Sequence, residues 1–233
     1  MTTESKQPET TTEQPRTPKR GMFNANGWLL DVLLVLVLVV AAALRLSGLD
    51  WDAGSHLHPD ERFLTQVESA LVPVGSLSEY FDTARSTLNP ANVGFDFFVY
   101  GTFPIFVVRY IAEWLEMTAY DQVYLVGRAL AGGADVLIVG LVYLIGARLY
   151  DRRVGLFAAI FSAFTVLQIQ IAHYFTVDTF LTLFTTLTIY MAVLVATSTF
   201  VSRRIVEDED GTPVIDQHPD FRLIQFVLFG ALL

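Results

Sequence analysis

WLLDVLLVLVLVVAAALRL, residues 28–46, is the stretch on which the reading of this chain turns. At about 1.5 Å per residue it is long enough to cross a hydrocarbon core of about 30 Å as one helix. Its two charges, Asp31 and Arg45, stand towards the ends, where side chains reach the headgroups. Arg16, Lys19 and Arg20 precede it, and a basic flank stays in the cytoplasm. The competing reading is a signal peptide cleaved near Ala41–Ala43, but the apolar core exceeds the usual ~7–15 residues of such a segment. Both readings put residue 50 onward outside.

Working outward, the rest of the chain has the composition of a membrane protein. Of 233 residues, 53% are hydrophobic and 17% charged, against about 25% charged in soluble domains. A net charge of -9 argues against nucleic acid as a partner, because phosphate binding needs an excess of Lys and Arg. With no cysteine, disulfides, thiolate catalysis and Cys-based zinc sites are excluded. No Walker or GxGxxG sequence precedes a helix, so a nucleotide fold has no support. Residues 1–26 are polar and read as a disordered cytoplasmic tail.

Further apolar runs at 127–149, 154–172 and 176–200 read as spans, and another begins at Leu223 and stops at Leu233. The expected fold is therefore all-α and polytopic. It has a first transmembrane helix at 27–49, an exoplasmic loop at 50–126 and three more helices within 127–200. A cytoplasmic loop at 201–222 and the start of a fifth helix at 223–233 follow. On this reading the chain is the front part of a longer protein and is inactive alone.

Residues 97–117 (FFVYGTFPIFVVRYIAEWLEM) are apolar but carry Pro104, Arg109, Glu113 and Glu116. Arg109 and Glu113 share a helical face, which suits an amphipathic helix lying in the interface. Counting it as non-crossing also places Arg148, Arg152, Arg153, Arg203, Arg204 and Arg222 on the cytoplasmic side. The protein is then a multi-pass plasma-membrane protein with a cytoplasmic N-terminus.

The polar residues gathered on the outer side are the candidates for chemistry. His58-Pro-Asp-Glu-Arg-Phe63 reads as a turn opening a helix, with Pro59 in the first turn and two acids at the positive end of the dipole. The same carboxylates, held at the membrane surface, are placed to act as a general base. Arg128 opens the second span and Asp135 lies on the same face, two turns deeper. An intramembrane acid marks a functional site unless it is paired, here with Arg128 or Arg45. His173 and Asp178 occupy the next outer turn, as a polar cap or as site residues. A divalent metal on His56, His58, Asp60 and His173 is chemically permissible, although no compact ligand spacing supports it.

In this order and on these sides of the membrane, the elements resemble the GT-C glycosyltransferases. They are most similar to the protein O-mannosyltransferase and aminoarabinose-transferase type, the phospholipid-carrier-dependent family 39. The likeness rests on Asp60-Glu61 opening the outer loop, Tyr100-Gly-Thr-Phe-Pro104, Gly127-Arg128, Tyr150-Asp-Arg-Arg-Val-Gly155 and His173 to Asp178. A single Pro104 before Ile105 departs from the double Pro usual in protein O-mannosyltransferases. The resemblance implies an inverting transfer of a sugar from a polyprenyl-phosphate donor to an exoplasmic protein, lipid or glycan acceptor. It makes Asp60 the base and Glu61 its support, with His58, His173, Asp178 and Asp135 as substrate contacts and Arg128 or Arg45 facing the leaving phosphate. Two other classes fit parts of the sequence. One is a transporter or flippase with Arg128 and Asp135 along its path, and the other is a non-catalytic scaffold subunit.

Overall fold

The computed structural model describes residues 27–197 and the backbone of 201–207 and 213–219. The expected tail at 1–26 and the expected helix at 223–233 lie outside the described residues. Among the described residues, three helices are long and apolar enough to cross a membrane: α1 (Gly27–Leu46), α5 (Tyr120–Leu149) and α8 (Val177–Thr197). Between them come α2 (Pro59–Ala70), α3 (Leu77–Phe81), a 3-10 turn (Pro90–Val93), α4 (Thr102–Trp114), α6 (Arg152–Ala163) and α7 (Val166–Ala172). The fold of the described helical part is the all-α polytopic one expected.

α5 is the axis of the molecule: α1, α2, α4, α6, α7 and α8 all pack on it. Its 30 residues reach about 45 Å, more than the thickness of a hydrocarbon core. The 47–119 segment folds over its N-terminal end. α2 and α4 have 12 and 13 residues, too short to be stable helices alone. They hold together by burying Leu64, Val67, Leu71, Ile105, Val108 and Ala112 against Val123 and Val126 of α5. Each such side chain contributes on the order of 1.5–3 kcal/mol when fully buried. At 13 residues α4 is too short to cross, and its opposite face exposes Phe103, Tyr110 and Trp114.

A second core joins α1, α5 and α6 through Ala41, Val139, Tyr143, Leu156, Ala159 and Ala163. Here α5 and α6 approach through small residues, as packed membrane helices do. A Cβ on Gly155 would come within 2.6 Å of the Tyr143 carbonyl oxygen and 2.8 Å of the Ala147 nitrogen.

Two expectations are corrected. The run 154–172 is not one helix: α6 and α7 meet at a 59° bend around Phe164 and Thr165. A break inside a membrane frees carbonyls that need donors. Arg45 supplies them, donating from Nη1 to Ala163 O at 2.9 Å and from Nη2 to Ser162 O at 3.2 Å. The second correction falls in the expected cytoplasmic loop at 201–222. Strands β1 (Val201–Glu207) and β2 (Pro213–Pro219) pair there as an antiparallel hairpin, in register from Val201↔Pro219 to Glu207↔Pro213.

Candidate active site

The site is built around the first turn of α2. His58 caps the helix, its Nδ1 accepting from the Asp60 N–H at 3.2 Å, and Pro59 sits in the first turn. Successive helical residues point about 100° apart, so the Asp60-Glu61 pair is divided. Asp60 turns outward, half-buried, and its Oδ1 accepts from the Tyr100 hydroxyl at 2.9 Å. Glu61 turns inward and is fully buried.

Glu61 is locked to α5. Its Oε1 accepts from Arg128 Nε at 2.6 Å and from the Phe175 N–H at 2.9 Å, and its Oε2 accepts from Arg128 Nη2 at 2.7 Å. The other side of the Arg128 guanidinium forks onto Asp52, Nη1 to Oδ1 and Nη2 to Oδ2, both at 2.9 Å. Nη1 also donates to Leu49 O at 2.6 Å, so every Arg128 donor has a partner. The rings of Tyr124 and Trp51 flank the cation, with centroids at 4.8 and 5.7 Å. The Arg128 guanidinium beside Asp52 holds that carboxyl below the usual carboxylate range. Gly127 makes the fit possible, because a Cβ there would lie 2.2 Å from the Phe175 ring.

Arg45 and Asp135 form a second buried pair, deeper in the helices. Of the two partners expected for Asp135, Arg45 is the one it takes, and Arg128 binds elsewhere. With the Ser162 and Ala163 carbonyls also satisfied by Arg45, neither buried arginine has a guanidinium directed at a ligand. In this arrangement all five Arg128 donors and four of the five Arg45 donors are engaged inside the protein.

His173 and Asp178 lie near the same centre. His173 sets Nδ1 against Ile169 O at 2.7 Å and Nε2 against Ser47 O at 3.0 Å, tying the end of α7 to the end of α1. Asp178, exposed in the first turn of α8, bears on Tyr100 together with Asp60. Burial, the hydrogen bond to Asp60 and the two carboxylate charges all push the Tyr100 phenol up. The metal set that His56, His58, Asp60 and His173 would permit does not assemble. His56 sits edge-on to Tyr120 and Tyr124, and no three His, Asp or Glu side chains converge on a metal position among the described residues.

Two openings flank Asp60 through its neighbours. On the Tyr100 side, an apolar groove of about 570 Å³ runs between α4 and α8, lined by Phe103, Pro104, Phe180 and Phe184 among others. On the His58 side, whose ring lies 5.0 Å from that of Tyr174, is a crevice of about 360 Å³ walled by Trp51, Gln170, His173 and Tyr174. Tyr100, Asp52, Phe175 and Tyr174 were not recognised as site residues from the sequence. Tyr100 stands inside a motif already singled out, and Asp52 lies six residues before His58. Phe175 acts through its backbone, which no side-chain pattern reveals.

This arrangement bears on what the chain is similar to. No curated protein and no solved structure matches it. Residues 104–203 match the model of the dolichyl-phosphate-mannose-protein mannosyltransferase family. The match runs from α4 through α5, α6, α7 and α8, the scaffold on which the Asp60 turn is mounted. The likeness noted in the sequence is thus met independently, and it supports a membrane glycosyltransferase of the GT-C type.

Proposed function

We propose that the protein transfers a sugar from a polyprenyl-phosphate donor to a hydroxyl on the exoplasmic face, with inversion and with Asp60 as general base. The acceptor oxygen gives its proton to the Asp60 carboxylate as it bonds to the anomeric carbon. The bond from that carbon to the phosphate oxygen breaks on the opposite side, and the lipid phosphate leaves with the electron pair.

One observation carries this reading. Among the described residues the buried acids Glu61, Asp52 and Asp135 are each bound to an arginine and Glu68 is sealed from solvent, whereas Asp60 is partly exposed and forms no ion pair. It is instead aimed by a neutral phenol at the head of an apolar groove. That groove suits a polyprenyl chain, and its mouth at Tyr100 brings the attached phosphate sugar to the carboxylate. Arg62, exposed and tethered only through Nη2 to His56 O at 3.1 Å, is the guanidinium beside the base in sequence. We place this end of the bundle outside the plasma membrane on the strength of the arginines at the other end, Arg148, Arg152 and Arg153. The transporter reading needs Arg128 and Asp135 open to a path, and both are closed in buried pairs.

The test is Asp60→Asn in the full-length protein, assayed in membranes with labelled polyprenyl-phosphate mannose. The expected loss of transfer is about 10²–10⁴-fold, the usual contribution of a positioned base, with membrane insertion unchanged. Transfer at the wild-type rate refutes the assignment.

A further inference from the structure

We infer that the crevice beside His58 is the acceptor subsite and that the acceptor is a neutral carbohydrate, bound by stacking a pyranose ring on Trp51 or Tyr174. The inference rests on the transfer reading above and names the substrate class of that same site.

The crevice has the chemistry of a sugar-binding wall. The Trp51 and Tyr174 rings meet edge to face, with centroids 5.6 Å apart and planes at 83°, and so present two flat surfaces at a right angle. Trp51 is 46% exposed, although its Nε1 points to the His173 carbonyl at 3.5 Å. An indole or phenol face matches the C–H side of a pyranose, and a polar tip beside it serves the hydroxyls. Gln170 stands at the rim, exposed and without a side-chain hydrogen bond among the described residues, and its amide can both donate and accept. No Asp, Glu, Lys or Arg lines the crevice. A charged phosphate or a basic peptide would find no counter-charge there, whereas a neutral polyol needs none. About 360 Å³ lies at the small end of ligand sites, which suits a sugar terminus rather than an extended peptide.

Its position completes the argument. His58 packs on Tyr174 and accepts the Asp60 N–H, so the wall of the crevice and the base are joined through one residue. The apolar groove is joined to Asp60 through a different neighbour, Tyr100. Lipid donor and glycan acceptor then reach one carboxylate past two different neighbours.

The test uses the protein in lipid nanodiscs, with mannotriose, maltotriose and chitotriose as probes and a Ser/Thr-rich peptide as comparator, read by saturation-transfer NMR. At least one trisaccharide is expected to bind, tenfold or more weakly in Trp51→Ala and at least threefold more weakly in Gln170→Ala, an exposed position whose loss leaves the fold intact. Asp60→Asn is expected to bind it as the wild type does. Trisaccharide binding that is the same in both crevice variants overturns the inference, as does absence of binding by all three. Trp51-dependent binding of the peptide in place of the sugars also overturns it. Asp60-dependent transfer that persists undiminished in Trp51→Ala rejects the crevice alone. Trisaccharide binding that depends on Trp51, in a protein with no transferase activity, upholds the crevice and rejects the transfer reading.

Discussion

Glu61→Ala removes the carboxylate that fastens the α2 turn to α5, and its cost follows from the geometry. Three hydrogen bonds of 2.6, 2.7 and 2.9 Å end on Glu61, and the residue is 0% exposed, so water does not replace it. The cation is not abandoned, because Asp52 keeps its two-point contact with Arg128. The loss comes from two guanidinium donors and one backbone N–H left without an acceptor, each worth about 1–3 kcal/mol. Breaking a buried pair on one side costs about 3–5 kcal/mol in total, and that is the expected destabilisation. Glu61→Gln keeps the volume and one carbonyl acceptor, and its cost is expected to be about 1–3 kcal/mol. Arg128→Met leaves two buried carboxylates facing each other and is expected to be the worst of the three. Reversible unfolding in bicelles with increasing SDS measures all of them, alongside the transfer assay. The reasoning is refuted if Glu61→Ala lies within about 0.5 kcal/mol of wild type, the ordinary range of surface changes. It is also refuted if Glu61→Gln abolishes transfer at undiminished stability, since Glu61 would then be a reacting group.

Other consequences can be checked in the same preparations. Gly127→Ala drives a methyl into the Phe175 ring and, through the Phe175 N–H, disturbs the same lock. A loss of about 1–3 kcal/mol is expected from overpacking, and unchanged unfolding would count against the close fit. Tyr100→Phe removes the 2.9 Å bond to Asp60 while keeping the ring. The expected result is a fall in kcat of about tenfold, the worth of one such bond, with KM for the donor unchanged. An unchanged kcat would remove Tyr100 as a positioning residue. Glu68, fully buried with neither carboxylate oxygen hydrogen-bonded, has its pKa pushed well above the ordinary 4.5 by burial, with the Arg109 charge pulling the other way. Its folded pKa exceeds its unfolded one, so its contribution to stability is full below 4.5 and is lost as pH rises through the folded value. Glu68→Gln is therefore expected to raise stability at neutral pH, with the gain vanishing in acid. Asp52 has the opposite sign. Its lowered pKa stabilises above the usual 3.8 and that contribution is lost as pH falls further. Unfolding midpoints across the acid range, with and without Glu68→Gln, measure both.

The parts of the fold visible in the sequence were those written in local pattern. Unbroken apolar runs gave α1, α5 and α8, the Arg109–Glu113 spacing gave an amphipathic α4, and His58-Pro59 gave the start of α2. The Arg109–Glu113 pair forms at 2.9 Å. What the sequence did not show depends on distance along the chain. Arg45 meets Asp135 across 90 positions and Arg128 meets Glu61 across 67, and nothing in either neighbourhood states the choice of partner. The bend between α6 and α7 escaped because hydropathy averages over Phe164 and Thr165. Arg45 donors from α1, together with the local Thr165 bonds to the Phe161 and Ser162 carbonyls, make a broken helix tolerable there. The β1–β2 hairpin did have a signal, Asp210-Gly211 between two short runs, overshadowed by the acids around it. For the candidate site, the sequence singled out Asp60, Glu61, Arg128 and His173, but that Glu61 is buried on Arg128 while Asp60 stays partly exposed depends on the fold.

Because the lock fixes the α2 turn to α5, Asp60 has a set height along the bundle axis. The height of a donor phosphate is set by the bilayer, since it rides at the headgroups of whatever lipid surrounds the protein. If Asp60 is the base proposed above, it and the bond it serves are measured by two different rulers, one made of helix and one of acyl chains. Hydrophobic matching brings them level at one membrane thickness, and a few ångströms of mismatch separates them. On that proposal lipid chain length becomes a control on the reaction, with no ligand, modification or moving part required.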